Sequence, residues 1–568
     1  MKGAANPKRP EKFALPAVAV LALGSFLFTW FFLIRSQGPF CWDEAHHSTL
    51  SALIARSLGG ADLREFGRCT NMQIYWPFFH SWVSAPFLLV FGYSYAAARS
   101  ASAVLGAGAI MAVFAAGRAF TGGRTLAPGM LAAAGLALSP MFYTMSSTAM
   151  FENLGLLLTC LLCAVFLGSW RGPGRRRAVL VGVLLAALYF TKYIYGIFTG
   201  VALAAFWLSC LLPGGEREDR RRILKGIPWT ALGFLLPWGL WIAFPPRDAK
   251  LGMLFYRIGD TGAWNPMGLT FWETHLFFVR ALLYAYSFSS VVYLAYLGGI
   301  VYGVLGWRGL RSRFLLLLFL SSFVPMSLIV NSQERFIYVQ FPALLLLSAA
   351  AVLWAWRRLS GKPRLVAGAA ATVLLAGDAV HFPSLCKQTI NTALAVNLQL
   401  DTLYQDYSVF FGLASYPRWL RFPREHFNPR APRSAPPEGT ESVYLYVRGT
   451  VDPRYALCAP AHLGTLSPHL WHWKTFAEPF PVATGWDPRC AFFLGLEVGE
   501  ESPYRRLGNM HLVRGAESWN DYYRTLRDLG LIREYSRRTF PGLGITAVLY
   551  ARTAALDRPE WRWAGSPP

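Results

Sequence analysis

The segment FCWDEAHH (residues 40–47) places two adjacent carboxylates and two histidines directly after the first long apolar run of the chain. Ionisable groups next to a membrane helix cost free energy, and residues of this kind mark functional sites. This segment is therefore the first candidate for chemistry. On a helix, Asp43, His46 and His47 share one face, because residues three and four apart lie together. That face points toward the protein body, where Asp43 or its neighbour Glu44 can act as a catalytic acid or base.

A second acid, Glu152, opens a later apolar run within MSSTAMFENLGLLL (residues 145–158). The predicted topology sets it on the same side of the membrane as Asp43 and Glu44. Carboxylates that converge from separate loops can hold a divalent cation, or one can act as a base while another orients its partner. A simpler alternative stays open, in which Glu152 only caps its helix and is stabilised by the helix dipole.

Three cations fall at the same ends of the apolar runs. Arg99 opens the second run, Lys192 lies in the short turn TKYIYG (residues 191–196), and Arg335 lies in NSQERFIYVQFP (residues 331–342). Cations that border a site with acids can bind a phosphate group at the membrane surface. Taken singly, each residue also fits an interfacial anchor whose charged end reaches water.

The two histidines extend the candidate site to a metal centre. With Asp43 or Glu152, His46 and His47 offer imidazole and carboxylate ligands, a set that suits zinc or manganese, and carboxylates alone suit magnesium. The pattern therefore predicts a divalent metal (Mg, Mn or Zn) as the one candidate cofactor. The alternative is a polar surface pair without an ion.

Composition indicates a membrane protein. The 568 residues are 54% hydrophobic and only 15% charged, which is too apolar for one ordinary soluble domain. The formal net charge of +23 does not indicate nucleic acid, because the Lys and Arg residues stand in short clusters between apolar runs, where they act as topology signals. The letters DEAH at residues 43–46 match a nucleotide-hydrolysis box by chance, since the chain has no phosphate-binding loop of the form G-x-x-x-x-G-K-[ST].

Apolar runs long enough to cross a bilayer predict a polytopic helical protein with about eleven spans. They cover residues 13–34, 96–117, 125–143, 153–170, 177–191, 194–212, 227–245, 289–306, 313–331, 337–357 and 364–382. The run 77–93 contains two prolines and a histidine, and we predict that it is an interfacial or re-entrant helix of the first outer loop. Every basic loop then falls on the cytoplasmic side with the N-terminus, as the positive-inside rule requires. The acids and the three cations share the opposite rim.

The composition changes near residue 382. Residues 1–382 form the predicted membrane module, whose outer loop 35–95 carries the first acids, and residues 383–568 form a soluble outer domain without a spanning run. The predicted elements of this small α/β domain are strands at 442–448, 491–498 and 545–551 and a helix at 519–529.

Cysteine usage agrees with an oxidising outer side. Cys41 and Cys69 share the first outer loop and can pair with each other. In the tail, two of Cys386, Cys458 and Cys490 can do the same, and the sequence leaves the pairing open.

These segments resemble the GT-C superfamily of polyprenyl-phosphate-dependent glycosyltransferases, especially its bacterial protein O-mannosyltransferase and lipid A aminoarabinose transferase branch. The matching features lie within residues 10–380 and are WDEAHH after the first span, FGYSYAAARSASAV leading into the second, Glu152 after the third, TKYIYG, and ERFIYVQFPALLLL before a late span. One feature differs, since the aminoarabinose transferases carry Lys-Pro-Pro before the interfacial helix, where this chain has Tyr75-Trp76-Pro77. The resemblance therefore leaves the phosphate contacts and the donor open.

The resemblance implies the GT-C fold in the bacterial inner membrane, with a periplasmic active site. Asp43 would be the general base that activates a hydroxyl of a glycolipid, polysaccharide or protein acceptor. The acceptor oxygen would attack the anomeric carbon of a polyprenyl-phosphate-linked sugar with inversion. Arg99, Lys192, Arg335 or a metal would meet the charge of the departing phosphate. Glu152 is similar to the second acid of the family.

Two other functions share part of this pattern. A transporter or flippase of lipid-linked sugars also needs many spans and rim cations, but it should carry polar residues and broken helices at the midplane, often in two related halves. Here the ionisable residues gather at one rim and no halves repeat. A polymerase of lipid-linked repeat units uses similar chemistry and differs in its donor.

Overall fold

Helices make up most of the protein, and a small sheet lies in its C-terminal part. The computed structural model describes residues 9–36, 40, 42–169, 174–211, 224–260, 271–329, 334–379, 382, 386, 437–460, 466, 468–477, 482–483, 487, 489–500, 502 and 510–554. The helices of the N-terminal part are α1 (Arg9–Phe28), α2 (Trp42–Gly59), α3 (Leu63–Asn71), α4 (Phe79–Phe91), α5 (Tyr95–Phe120), α6 (Ala127–Ala137), α7 (Pro140–Ser146), α8 (Glu152–Gly168), α9 (Arg175–Thr191), α10 (Tyr193–Ser209), α11 (Ile227–Ala243), α12 (Arg247–Asp260), α13 (Phe271–Tyr284), α14 (Ser290–Leu305), α15 (Leu310–Met326), α16 (Phe341–Arg358) and α17 (Gly361–Ala379).

Each apolar run predicted as a span contains at least one helix. Among the described residues, three helices are long and apolar enough to cross a membrane by length and composition, namely Phe13–Leu33, Tyr95–Phe120 and Phe341–Arg358. The shorter apolar helices have 10–17 residues, so the count of about eleven spans remains a prediction.

The exterior of the bundle is apolar. On α1, Ala14, Val18 and Ala22 follow one another at intervals of four residues and are buried against the neighbouring helices. Phe13 and Val20 are 75% and 70% exposed, although both are large and hydrophobic. An apolar exterior of this kind is stable against lipid, whereas in water it would be an aggregation surface.

One predicted span is broken into two helices. The run 125–143 forms α6 and α7, and the break lies at Ser139, whose backbone is extended (φ −87°, ψ 122°). Pro140 follows and disfavours a helical conformation of the preceding residue.

Close packing of α5 against α8 fixes the first turn of α8. A Cβ atom at Gly106 would lie 2.6 Å from Ser146 Oγ and 2.8 Å from Asn153 Nδ2, so only glycine leaves room for this approach. The Asn153 amide donates to Ser146 Oγ at 2.8 Å and accepts from the Tyr338 hydroxyl at 2.7 Å. Three segments of the bundle therefore hold the residue that follows Glu152.

The C-terminal part contains helices α18 (Pro437–Thr450), α19 (Pro468–Ala477) and α20 (Met510–Asp528) and strands β1 (Leu457–Cys458), β2 (Val482–Ala483), β3 (Phe492–Val498), β4 (Ile532–Phe540) and β5 (Ile545–Arg552). The sheet order is β2-β1-β3-β5-β4, with β1 parallel to both neighbours and β5 antiparallel to β3 and β4. The strands predicted at 491–498 and 545–551 and the helix predicted at 519–529 are confirmed.

The strand predicted at 442–448 is wrong, since these residues belong to α18. Val443 and Val447 are buried on one face of this helix, and Val451, directly after its end, is buried in the same cluster. Their spacing of four residues fits a helix packed on the sheet, whereas the β-branched and aromatic composition of the segment favours a strand.

Candidate active site

Four charged side chains from separate parts of the chain meet at one end of the helical bundle. Arg335 Nη2 donates to Asp43 Oδ2 at 2.8 Å. Arg335 Nη1 lies 3.9 Å from Glu152 Oε1, and Lys192 Nζ lies 3.8 Å from the same oxygen. Arg335 thus joins the two acids, and we call Asp43, Glu152, Lys192 and Arg335 the charged cluster.

Each member of the charged cluster stands where a helix begins or ends. Asp43 and Glu152 lie in the first turns of α2 and α8, where the helix dipole stabilises a carboxylate. Lys192 is extended (φ −158°, ψ 127°) between α9 and α10, and Arg335 lies in the 3₁₀ turn before α16. These four residues are far apart in the sequence. They meet at one end of the bundle because successive helices run in alternating directions.

Asp43 and Arg335 form the accessible side of the charged cluster, with side chains 20% and 11% exposed. Burial by itself raises the pKa of the Asp43 carboxyl, but the charge and hydrogen bond of Arg335, with smaller contributions from Lys192 and His46, bring that pKa below its ordinary value of 3.8. Asp43 is therefore a carboxylate at neutral pH and is able to accept a proton.

Glu152 forms the buried side of the charged cluster and has no exposed surface. Its Oε1 accepts a hydrogen bond from the Tyr195 hydroxyl at 3.0 Å and faces both cations. Its Oε2 has no hydrogen-bond partner among the residues that the structure describes. A buried carboxylate oxygen without a donor is costly, so Oε2 has a capacity to accept a hydrogen bond that the described residues do not use.

Aromatic rings surround the Lys192 ammonium. Its Nζ lies 5.2 Å from the ring centroid of Trp76, 5.3 Å from Tyr195, 5.6 Å from Phe336 and 5.9 Å from Phe151. Such rings attract a cation and exclude water, which strengthens electrostatic interactions at this site.

Glu44 and Arg99 lie apart from the charged cluster, in the interior. Arg99 donates to both carboxylate oxygens of Glu44, from Nε at 2.9 Å and from Nη2 at 3.1 Å. The Ala149 backbone N–H donates to Glu44 Oε1 at 2.9 Å. Arg99 and Glu44 are buried and pair with each other, and both oxygens of Glu44 already accept hydrogen bonds, so this pair is separate from the charged cluster.

The candidate metal ligands do not fit a metal. Among the described residues, no group of three or more His, Cys, Asp or Glu side chains could hold an ion. The His47 ring packs against Phe151, with centroids 3.6 Å apart and the ring planes tilted by 43°. Since Lys192 and Arg335 already neutralise Asp43 and Glu152, a divalent cation would meet like charges there.

Sequence reasoning missed several polar residues that support the charged cluster. Asn153, Tyr195 and Tyr338 are buried, and each makes a side-chain hydrogen bond within the site region. The sequence did contain one clue to them, their residue type. A polar side chain within an apolar helix must find a hydrogen-bond partner. Their partners could not be identified, because the sequence gives no distances between helices.

Comparison with known proteins adds to this geometry. No protein-family model and no curated protein matches the sequence. Among solved structures, the crystal structure of ArnT from Cupriavidus metallidurans bound to undecaprenyl phosphate superimposes with a TM-score of 0.57 at 16% identity, over 96% of this chain and 99% of that chain. The apo state of the same protein gives a TM-score of 0.54 at 17% identity, over 96% and 100%.

The superposition covers both the helical bundle and the C-terminal sheet, because it extends over nearly the whole of each chain. At such low identity the likeness concerns the fold and not the substrate. ArnT is a lipid A aminoarabinose transferase of the GT-C superfamily. The predicted helical bundle with a small C-terminal sheet is therefore confirmed, and this chain shares the overall fold of the membrane protein ArnT, while the number of spans stays a prediction.

Proposed function

We propose that this protein is an inverting glycosyltransferase that moves a hexose or pentose from a polyprenyl-phosphate-linked donor to an acceptor hydroxyl. The observation that carries the proposal is the charged cluster, in which Arg335 lies 2.8 Å from Asp43 and 3.9 Å from Glu152. The fold supports the donor class, since ArnT has been solved with undecaprenyl phosphate bound. The acceptor belongs to a glycolipid, a polysaccharide or a protein.

Asp43 is the general base of the proposed reaction. Its carboxylate takes the proton of the acceptor hydroxyl while the acceptor oxygen forms a bond to the anomeric carbon. The bond between that carbon and the phosphate oxygen breaks, and its electron pair leaves with the lipid phosphate. The attack comes from the face opposite the leaving group, so the configuration at the anomeric carbon inverts.

Arg335 and Lys192 stabilise the departing phosphate. Before the reaction, two cations face two carboxylates and the charged cluster is neutral. When Asp43 takes a proton, the cluster gains one positive charge as the phosphate gains one negative charge. Fixed charges that match the transition state in this way lower the barrier without reorganisation.

Glu152, Glu44 and Arg99 have supporting roles in this proposal. Glu152 orients both cations through Oε1 and offers Oε2 to a sugar hydroxyl. Glu44 and Arg99, for which the sequence predicted catalysis and phosphate binding, hold the surrounding segments in place, because their charges are already satisfied.

We place the reaction at the periplasmic face of the bacterial inner membrane. Residues 1–382 form the membrane module and residues 383–568 the periplasmic domain. The ends of the bundle opposite the charged cluster carry arginines bound to helix carbonyls, as in Arg311 to Phe120 O at 2.7 Å and Arg313 to Ser209 O at 3.0 Å. Basic ends of this kind favour the cytoplasmic side.

Asp43→Asn provides the direct test. Purified protein in liposomes made from bacterial inner-membrane lipid extract, whose glycolipids supply acceptor hydroxyls, is given a panel of undecaprenyl-phosphate-linked hexoses, pentoses and oligosaccharides, and free undecaprenyl phosphate is measured by mass spectrometry. We expect wild-type protein to release it from at least one donor, and D43N to be slower by about 10²–10⁴-fold, the usual contribution of a general base. Asp62→Asn is the matched control, because Asp62 is an exposed N-cap that Asn can replace.

The competing functions predict other results. If the protein moves the donor across the bilayer without releasing undecaprenyl phosphate, it is a flippase. If only donors with several sugars react, it is a polymerase of repeat units. If D43N reacts as fast as D62N, Asp43 is not the base.

A further inference from the structure

A helix of the C-terminal part packs directly on the helix that carries Asp43. In the chain, helix α19 follows strand β1 and precedes strand β2. Its residues Leu470 and Trp473 are buried in one hydrophobic cluster with residues of α2 and α5. The two parts of the chain thus share a core near the charged cluster.

Two tryptophans of α19 face different partners. Trp471 packs in the core of the sheet domain, with its ring 5.4 Å from Tyr444. Trp473 packs against Phe40 just before α2, with ring centroids 4.9 Å apart. Both tryptophans are only 2% exposed. The helix therefore connects the sheet domain with the segment that leads into α2.

Phe40 lies between Trp473 and the buried ion pair of Arg99 and Glu44. The guanidinium of Arg99 lies 5.1 Å from the Phe40 ring and 6.0 Å from the Tyr95 ring, and the two rings are 4.7 Å apart edge to face. Phe40 has no exposed surface and is held between Trp473 and Arg99. An aromatic face stabilises a cation most when water is excluded, as it is here.

The ion pair in turn connects the segments that carry the two acids of the charged cluster. Glu44 follows Asp43 in α2, and its Oε1 accepts from Ala149, three residues before Glu152. The Arg99–Glu44 pair therefore joins the start of α2, which carries Asp43, to the segment that leads into Glu152.

We propose that Trp473 is a positioning residue, which through Phe40 and the Arg99–Glu44 pair sets the geometry of Asp43 relative to Glu152. This inference rests on the proposed function for its effect on rate, while its structural effect can be measured without a substrate. Misplacement of reacting groups by about 1 Å costs roughly 100-fold in rate, so a remote contact of this kind has a measurable effect.

Phe476 provides a matched control on the same helix. Its ring lies 5.5 Å from Tyr93, and the Arg56 guanidinium lies 5.6 Å from it, so it contributes to the docking of α19 on α2 and α5. The Phe476 ring also lies 6.3 Å from the ring of Trp473, but it is Trp473 that packs on Phe40, with centroids 4.9 Å apart. Phe476 therefore tests docking separately from the positioning contact.

The experiment compares W473A, W473L, W473F and F476A in the full-length protein. The first measurement is hydrogen–deuterium exchange of peptides covering residues 147–151, which include the Ala149 amide bound to Glu44. We expect exchange there to be at least about tenfold faster in W473A and W473L, and near wild type in W473F and F476A, because an amide is protected by its hydrogen bond.

The second measurement is turnover with the donor that wild-type protein accepts. We expect W473A and W473L to lose about tenfold or more in kcat with little change in KM, and W473F to restore most of it, since remote misplacement affects the transition state more than donor binding. W473L keeps an apolar side chain in the core, so it remains informative if W473A does not fold.

Two results would overturn the inference. One is wild-type exchange at residues 147–151 in both W473A and W473L. The other is equal loss of kcat in F476A and W473L, which would mean that docking alone matters. Failure of the proposed function gives a different result, in which D43N stays active whatever the Trp473 variants do.

Discussion

Two opposing influences, burial and the positive charge of Arg335, set the pKa of Asp43. Arg335→Gln removes the charge and leaves burial, which raises the pKa. We expect R335Q to move the acidic limb of kcat/KM to higher pH, because Asp43 must be ionised to take a proton. The lowered pKa in the wild type also means that the pair adds stability above the unfolded-state pKa and loses it as the pH falls through the folded-state value.

Arg335→Lys is the control for this pH profile. Lysine keeps a positive charge near Asp43 but cannot contact Asp43 and Glu152 with two separate nitrogens, as Arg335 does. We expect R335K to keep an acidic limb close to that of the wild type while turning over more slowly. An acidic limb that does not move in R335Q would contradict the assignment of Asp43 as the base.

The charges around His47 lead to a prediction on metals. Because the His47 ring packs on Phe151 and Lys192 and Arg335 already pair with the two carboxylates, we expect EDTA treatment to leave turnover unchanged. Likewise, His47→Phe keeps an aromatic ring against Phe151 and should retain activity within a few-fold. Loss of turnover in EDTA that added Mg²⁺, Mn²⁺ or Zn²⁺ restores would reject this view and bring back the metal site predicted from the sequence.

At the scale of elements, the Arg99–Glu44 pair connects α5, α2 and the segment before α8. Removal of one partner leaves an uncompensated buried charge, which costs roughly 3–5 kcal/mol in folding free energy. We therefore expect Arg99→Gln to lower the unfolding temperature of the detergent-solubilised protein markedly. The double variant E44Q/R99Q should recover part of the loss, because the Glu44→Gln change removes the remaining charge and its amide oxygen still offers an acceptor to Ala149. Equal unfolding temperatures of R99Q and the wild type would contradict this role.

Strands β1 and β3 bring two cysteines together. Cys458 and Cys490 are free thiols that are buried in one cluster of the sheet domain. Cys386 lies instead with the core of the helical bundle, and Cys41 is outside the described residues. Of the pairings that the sequence left open, the structure thus favours Cys458 with Cys490.

On an oxidising side of the membrane, we expect Cys458 and Cys490 to form a disulfide. Protein purified from membranes would be denatured and alkylated with and without reductant, and its peptides weighed. Both cysteines should be alkylated only after reduction, whereas Cys160 and Cys163, within the apolar helix α8, should be alkylated in either case. Full alkylation of Cys458 without reductant would place the sheet domain in a reducing compartment.

At the scale of the whole molecule, the apolar runs predicted the helices well because a segment surrounded by lipid must satisfy its own backbone hydrogen bonds. They could not predict the break at Ser139, which depends on one proline, or the helix at 437–450, whose valines also suit a strand. Local composition decides between helix and strand only where the tertiary environment is uniform, as it is in a membrane.

The sequence predicted at which end of its helix each charged residue lies, but not the direction in which its side chain points. Arg99 and Arg335 both stand near helix ends on the same side of the bundle, so both were predicted to bind phosphate. In the structure, Arg99 points inward to Glu44, and Arg335 joins Asp43 to Glu152. That difference depends on contacts between distant segments, which a single sequence does not contain.

The bundle has two chemically different ends. Arg99 and Arg118 lie at opposite ends of α5 and are nineteen residues apart, or about 28 Å at 1.5 Å per residue. This separation is close to the thickness of the hydrocarbon core, about 30 Å. The charged cluster lies at the Arg99 end, and the bonds from Arg311 to Phe120 O and from Arg177 to Gly168 O lie at the other.

Cysteine labelling in intact spheroplasts tests this orientation. Arg308→Cys marks the basic end, in the turn between α14 and α15, and Arg454→Cys marks the sheet domain, where the side chain of Arg454 is 80% exposed. A membrane-impermeant maleimide should label R454C directly and R308C only after the membrane is opened, because positive charge keeps the basic end in the cytoplasm. The parent protein is the blank, since the seven cysteines in the described part of the chain are buried. The reverse labelling pattern would put the charged cluster in the cytoplasm, where a periplasmic acceptor could not reach Asp43.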